Sequence, residues 1–331
     1  MSTDSRPVLV TGASGLLGEA VAARLAARGD AVIAIDVAEA PDARVPVTPC
    51  DVRDVHRLRQ ITASGVSAVV HCGAYSGPMV ARDRPDSMVK VNVVGTANVL
   101  EIARIHDARR FVFASSTTVY GETGPGPVTE ETPPRVASLY AASKVASEQL
   151  VVAYAEQYGV SGVSLRLSWV YGPRRTTDCV IRDMILDAHA RRPTRLTYGY
   201  DFARQFIHVD DASRALVLGL DARRIDRPVL NVTGGTRVTL ADIAQMVGDA
   251  VPGADIELMN GPDPVDQNQE RVDIRAAGRE IGYEPAITLD EGIRAYAGWL
   301  AGCALTLRSV DDEHVEADPV GVPFAHADEQ A

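Results

Sequence analysis

The stretch Val8-Leu9-Val10-Thr11-Gly12-Ala13-Ser14-Gly15-Leu16-Leu17-Gly18 decides how this chain folds. Val8 to Val10 is a short apolar run of the kind that forms a buried strand, and the glycines after it turn the chain. A helix follows with Leu17, Val21 and Leu25 on one face, and it stops at Gly29. The next apolar run, Ala31 to Ile35, ends in Asp36. Strand, glycine turn, helix, strand and terminal acid make a dinucleotide-binding unit. The glycines let backbone approach a pyrophosphate, and the helix N-terminus offers it free N–H groups. Gly12, Ser14, Gly15, Leu16, Leu17 and Gly18 are the expected contacts, on a G-x-x-G-x-x-G spacing slightly longer than the commonest fingerprint. A carboxylate at Asp36 accepts from ribose hydroxyls and repels a 2′-phosphate. Val37 and Ala38 supply no arginine beside it, so NAD is expected over NADP. Arg44 is the cation that could fold back and weaken that preference.

Tyr140 and Lys144, in Ser-Leu-Tyr-Ala-Ala-Ser-Lys, form the second informative feature. Four residues apart on a helix, they stand about 40° apart around its axis and are neighbours. An ammonium beside a phenol stabilises the phenolate, which makes Tyr140 a usable proton shuttle. Ala142, Val145, Ala146, Leu150 and Ala153 form an apolar stripe on roughly the opposite side. The pair is therefore expected to be free of packing duty and to point into a site.

Together these features resemble the extended short-chain dehydrogenase/reductase family, the NAD-dependent epimerase/dehydratase group, over roughly Val8 to Leu300. Asp51-Val52 matches the family's segment in which an acidic residue holds the adenine ring. His71-Cys72-Gly73-Ala74 is similar to the segment lining the cofactor after the fourth strand, and Asn92 to the family's helix asparagine. Phe113 to Gly121 is similar to the catalytic-serine strand. Leu165-Arg166-Leu167 and Val170-Tyr171-Gly172-Pro173 match the strand and turn that open the substrate side. The resemblance implies a catalytic set of Ser116, Tyr140 and Lys144. Tyr140 would take the hydroxyl proton as hydride leaves for NAD, Lys144 would hold the tyrosinate and the nicotinamide ribose, and Ser116 would donate to the reacting oxygen. Counting back from Val119-Tyr120-Gly121 selects Ser116, with Ser115 the alternative and otherwise a cofactor contact. Thr117-Thr118 stand where the family's dehydratases carry Asp-Glu, which argues against a 4,6-dehydratase.

The motif order is most similar to UDP-glucose 4-epimerase-type members, which implies a nucleotide-sugar 4-epimerase working by transient hydride transfer to NAD. One alternative is an NAD-dependent dehydrogenase of a free sugar, polyol or sugar acid with net NADH production. Another is a non-catalytic NAD-sensing protein, which would generally lack the tyrosine or the lysine. Ser76, Thr117, Trp169, Arg182, Arg204 and Arg271 are the expected substrate contacts. Arg204 precedes Phe206-Ile207-His208-Val209-Asp210-Asp211 and matches a diphosphate-contacting position, and Arg271 matches another. Trp169 stands where many epimerases place an asparagine, so Arg174, Arg175 and Arg182 could replace lost diphosphate contacts or bind a carboxylate. His208, Asp210 and Asp211 are expected to be structural, with an aspartate capping the next helix.

The 331 residues, 46% hydrophobic, suffice for a large core. A net charge of −11 without a basic block argues against nucleic acid, and no apolar run reaches transmembrane length. Cys50, Cys72, Cys179 and Cys303 have no paired spacing, so neither a metal site nor a disulfide framework is expected, and a cytoplasmic setting is. Alternating strand and helix signals predict an α/β fold: a doubly wound parallel sheet (Rossmann) with a smaller C-terminal α/β substrate lobe. The expected division is 1–172 for NAD with 206–228 returning to it, 173–205 and 229–302 for substrate, and 303–331 as an acidic, disordered tail. Helices near Pro85–His106 and Ser138–Tyr158 are expected to pair two copies into a homodimer, with Val151, Val152 and Tyr154 on the outer face.

Overall fold

The computed structural model describes residues 5–311. In chain order the large sheet and its helices are β1 (Val8–Thr11), α1 (Leu16–Ala27), β2 (Val32–Asp36), β3 (Val47–Pro49), α2 (Val55–Ile61), β4 (Ala68–His71), α3 (Pro85–Val89), α4 (Gly95–Ile105), β5 (Phe111–Ser116), α5 (Leu139–Tyr158) and β6 (Gly162–Leu167). Then follow β7 (Trp169–Tyr171), α6 (Val180–His189), β8 (Thr194–Leu196), β9 (Ala203–His208), α7 (Val209–Asp221), β10 (Val229–Val232), β11 (Arg237–Thr239), α8 (Leu240–Ala250), β12 (Ile256–Leu258), α9 (Arg275–Ile281) and α10 (Leu289–Asp311).

Seven parallel strands lie in the order β10-β6-β5-β4-β1-β2-β3. Every residue of β1 and β4 is buried, as central parallel strands covered on both faces require. Val8, Val10, Val70, Val112 and Leu165 face one layer, with Val21 and Leu25 of α1 and Leu216 and Leu220 of α7. Leu9, Ile35, Val69, Phe111 and Phe113 face the other, against Leu58, Val99, Leu100, Ile102 and Val151. The strand order reverses between β1 and β4, and ligands of such sheets bind in the crevice outside those carboxyl ends. A third core joins α6, α8 and α10 through Ile181, Met184, Ile185, Leu240, Ile243 and Ile293. It covers the sheet β11-β9-β7, while β12 and β8 pair separately.

Several expectations change. The strand that returns to the large sheet is β10, beside β6, and lies outside 206–228; β9 belongs to the three-stranded sheet, and only α7 packs on α1. Leu230 and Val232 are fully buried, which places Val-Leu-Asn-Val in the large core. The expected helix 85–106 is broken by a π-helical turn, Lys90–Val94, at Asn92. There the Asn92 amide is drawn inward to the Tyr75 backbone and the Ser143 hydroxyl. On α5 the buried face carries Tyr140, Ser143, Lys144, Ser147, Glu148 and Val151, not the apolar stripe, whose residues are half-buried. Val151, expected outside, is fully buried. Polar groups can occupy that face because Lys144 and Glu148 find partners on β5 and β6, while Ser143 and Ser147 bond Asn92. Finally, α10 extends to Asp311, since 303–311 contains neither Pro nor Gly to stop it. The rest of the expected acidic tail, 312–331, lies outside the described residues.

Candidate active site

The first loop is shaped for close approach. Gly12 has φ +70°, and a Cβ there would lie 2.6 Å from the Gly73 nitrogen. A Cβ on Gly18 would meet the Gly12 oxygen at 2.1 Å, so the first turn of α1 rests directly on the strand turn. Gly15, the N-cap of α1, offers no side chain to its amides, which remain available to an anion. At the end of β2 the Asp36 carboxylate accepts from the amides of Ser14, Val37 and Ala38. Arg44 does not fold back onto it; its guanidinium is held bidentate by Glu19 at 2.8 and 2.7 Å. These features fit a dinucleotide with free ribose hydroxyls.

A cavity of about 510 Å³ opens along the strand ends. It is lined by Gly12, Gly15, Leu16, Leu17, Gly18 and Asp36, then by Asp51, Val52, Cys72, Gly73, Ala74 and Ser76. Ser115, Ser116, Thr117, Tyr140, Lys144 and Trp169 complete the expected residues on its wall. Ser14, Asn92, Arg182, Arg204 and Arg271 are not on it. Ser14 turns its hydroxyl to the Ala38 carbonyl, 2.7 Å away. Arg271 is exposed and contributes its carbonyl to Val128.

Below the cavity floor a hydrogen-bonded chain links the loops. The Gly73 amide donates to Thr11 Oγ1, which lies 2.6 Å from His71 Nδ1. His71 Nε2 lies 2.9 Å from Thr96 Oγ1, and Thr96 donates to the Asn92 carbonyl. Thr96 spends its proton on that carbonyl, so it accepts from Nε2–H, and Nδ1 must accept from Thr11. Burial pushes the His71 pKa down to about 3, so this ring is a neutral strut. Burial likewise raises the Cys72 thiol to about 12, which removes it as a nucleophile.

The two serines of β5 have opposite surroundings. Ser115 donates its proton to Glu148 Oε1 at 2.6 Å. Ser116 Oγ instead accepts from the Thr118 amide at 3.2 Å and the Thr118 hydroxyl at 2.9 Å, leaving its own proton unspent. Lys144 donates to the Ala114 carbonyl at 2.7 Å, and its nitrogen stands 5.6 Å from the Tyr140 ring centroid. One turn further along α5, Glu148 forms a bidentate pair with Arg166 of β6 at 2.9 and 2.7 Å, both side chains almost fully buried. The Arg166 guanidinium covers the Tyr120 ring at 4.7 Å, and Tyr120 donates to Asn231 of β10. Glu148 thus ties the helix carrying Tyr140 and Lys144 to β5, which carries Ser116, through the Ser115 hydroxyl, and to β6 through Arg166. Glu148 escaped sequence reasoning, although its i+4 spacing from Lys144 placed it on the same helix face.

On the far side, Trp169 lines the cavity and donates its indole N–H to Asp266 at 2.5 Å. Arg204 lies behind it, paired with Asp263 and with Asp266. Arg182 is bound to Asp183 and to the Arg175 carbonyl. Arg174 turns away to the Asp42 carbonyl. The cap of α7 is the His208 ring, which accepts from the Asp210 amide, so the expected aspartate cap is absent; Asp211 instead accepts from the amides of Ala286 and Ile287.

The profile of the NAD dependent epimerase/dehydratase family matches residues 8–232. The chain is 28% identical over 326 residues to UDP-glucuronate 4-epimerase 4 of Arabidopsis thaliana, covering 88% of this chain and 74% of that one. It is 26% identical over 313 residues to a UDP-glucuronate 4-epimerase of Thermodesulfobacterium geofontis, covering 88% and 95%. The structure superimposes on UDP-glucose 4-epimerase of Thermus thermophilus in complex with NAD with a TM-score of 0.80 and 28% identity, over 89% of this chain and 99% of that one.

Proposed function

The chain belongs to the NAD-dependent epimerase/dehydratase family, and from that premise we propose that it is a nucleotide-sugar 4-epimerase acting on UDP-hexoses. It is an NAD-dependent enzyme of the extended short-chain dehydrogenase/reductase type. Bound NAD supplies the chemistry of taking a hydride from the sugar carbon and giving it back to the opposite face. Tyr140 takes the hydroxyl proton of that carbon and later returns it. Lys144, anchored by one N–H on the Ala114 carbonyl, keeps two donors for the tyrosine oxygen and the nicotinamide ribose. Ser116 donates its unspent proton to the sugar oxygen as it becomes a carbonyl. Glu148 and Arg166 hold the three in register.

The observation that carries this function is the continuity of one cavity from Gly12 and Asp36, past Ser116, Tyr140 and Lys144, to Trp169 and Arg175. Sugar and cofactor share a single chamber, which lets a keto sugar turn over and be reduced without leaving. The relatives and the superimposable structure are themselves 4-epimerases of UDP-sugars. In this account the large sheet holds NAD, and the elements after Pro173 hold the sugar nucleotide. Four unpaired cysteines suit a reducing cytoplasm, and among the described residues no helix is long and apolar enough to cross a membrane. Two copies would pair through α4 and α5, where Ile105 and Tyr158 are exposed at 41% and 57%. Light scattering should give a dimer mass, and a monomer at micromolar concentration would remove that element. The function itself is tested by mixing the protein with excess NAD and UDP-glucose or UDP-glucuronate. The C4 epimer should form without accumulation of NADH absorbance; absorbance rising in step with product would make the enzyme a dehydrogenase.

A further inference from the structure

We propose that the substrate's diphosphate is bound by Arg175, and that Arg204 is an internal staple withdrawn from ligand binding. This rests on the UDP-sugar assignment above. Arg204 is the arginine that motif order alone would offer to a diphosphate. Its guanidinium is instead held between Asp263 and Asp266, with Nε 3.1 Å from Asp266 Oδ2, and the three side chains are only 8%, 2% and 9% exposed.

Both carboxylates are fully engaged. Asp263 Oδ1 accepts from the amides of Val265 and Asp266, each at 2.8 Å. Asp266 also accepts from the Trp169 indole at 2.5 Å and from the Gln267 amide at 3.0 Å. Two carboxylates around one guanidinium leave no net positive charge for an incoming anion. Freeing Arg204 would mean stripping a buried ion pair of its partners, one of the more destabilising changes a core can suffer.

Arg175 is the reverse case. It lies on the cavity wall, and its terminal nitrogens donate only to the carbonyls of Val170 and Asp178. Among the described residues its Nε is buried without a partner, and none of its contacts is a carboxylate. Carbonyls orient a guanidinium but do not neutralise it, so its charge remains available to the cavity. Among the described lining residues, Arg53 is neutralised by Asp51, and Lys144 belongs to the catalytic end. Arg175 faces the Trp169 indole at 5.8 Å, the same ring that Arg204 faces at 4.8 Å. Two arginines thus lie beside one ring, Arg204 neutralised and off the cavity wall, Arg175 charged and on it. Arg182 supports the loop by donating to the Arg175 carbonyl at 3.0 Å and acts as a positioning residue. A planar guanidinium suits a diphosphate, which it can meet with two parallel N–H bonds.

The test is calorimetric titration of the NAD-loaded protein with UDP, and with uridine as the phosphate-free control. Arg175→Met should weaken UDP by about 10–100-fold, the scale of one charge-assisted contact, and leave uridine unchanged. Arg204→Met should leave UDP affinity little changed while lowering the melting temperature. Asp263→Asn answers the same question if Arg204→Met does not fold. If Arg204 were a ligand held back by its aspartates, Asp263→Asn would tighten UDP and Arg204→Met would loosen it at least about tenfold. Either result, or an Arg175→Met protein with unaltered UDP affinity, overturns the proposal. A wild-type protein that binds no UDP at all sinks the UDP-sugar assignment first, and the two failures are therefore distinct.

Discussion

Replacing the two adjacent serines of β5 one at a time should separate chemistry from scaffold. In Ser116→Ala the hydroxyl removed is the one whose oxygen takes two bonds from Thr118 and whose proton is unspent. Losing one such donor to a developing oxyanion is worth about 2.7–4 kcal/mol, or about 10²–10³-fold in turnover. The two Thr118 donors lose an acceptor, which should lower stability by about 1 kcal/mol. In Ser115→Ala, Glu148 keeps both bonds from Arg166, at 2.9 and 2.7 Å, so its charge stays paired. That variant should lose a comparable 1 kcal/mol or so of stability and keep turnover within a few-fold. Initial rates of UDP-sugar interconversion at saturating NAD, with urea unfolding of each variant, measure both quantities. A Ser115→Ala enzyme crippled by two orders of magnitude beside a near-normal Ser116→Ala would assign the donor to Ser115 instead.

Tyr140→Phe keeps the ring in its buried position and removes the proton carrier, so turnover should fall about 10²–10⁴-fold with NAD binding intact by fluorescence titration. Asp36→Ala, or Val37→Arg beside it, should narrow or reverse the preference for NAD over NADP, worth on the order of 2–4 kcal/mol, measured as the ratio of dissociation constants. Burial holds His71 neutral with a pKa pushed down to about 3, while the unfolded chain's histidine titrates near 6.5. The unfolded state therefore binds the extra proton between those values, so this contribution to stability is complete above pH 6.5 and is lost as pH falls toward 3. At pH 5 the loss should be about 2 kcal/mol, and His71→Asn should shrink the difference in urea-unfolding free energy between pH 7 and pH 5 by that amount.

What was legible in the sequence was local. Strand, glycine turn and helix from Val8 to Ala27 are consecutive, and each signal depends on neighbours a few residues away. Tyr140 and Lys144 were legible for the same reason, since helix geometry alone makes them neighbours. The difference between Ser115 and Ser116 was not a local matter. The surroundings that distinguish them depend on Glu148, 33 residues on, and on Arg166, 18 residues beyond that, which share one buried pair under β5. The same distance in sequence hid the fate of Arg204, whose partners Asp263 and Asp266 lie in a later segment without regular structure. The face of α5 was misjudged because apolar spacing normally marks the buried side of a helix. Here Lys144, Ser147 and Glu148 are buried against matched acceptors and donors, so polarity did not predict exposure.

In the proposed reaction one chamber oxidises a sugar carbon, lets the keto sugar turn and reduces it again before anything escapes. UDP-glucose carrying deuterium at C4 tests this most directly, with product and medium followed by NMR. The galacto epimer should form with deuterium retained at C4, with none in water and no free reduced cofactor. Deuterium appearing in released NADH, or exchanged into solvent, would contradict it.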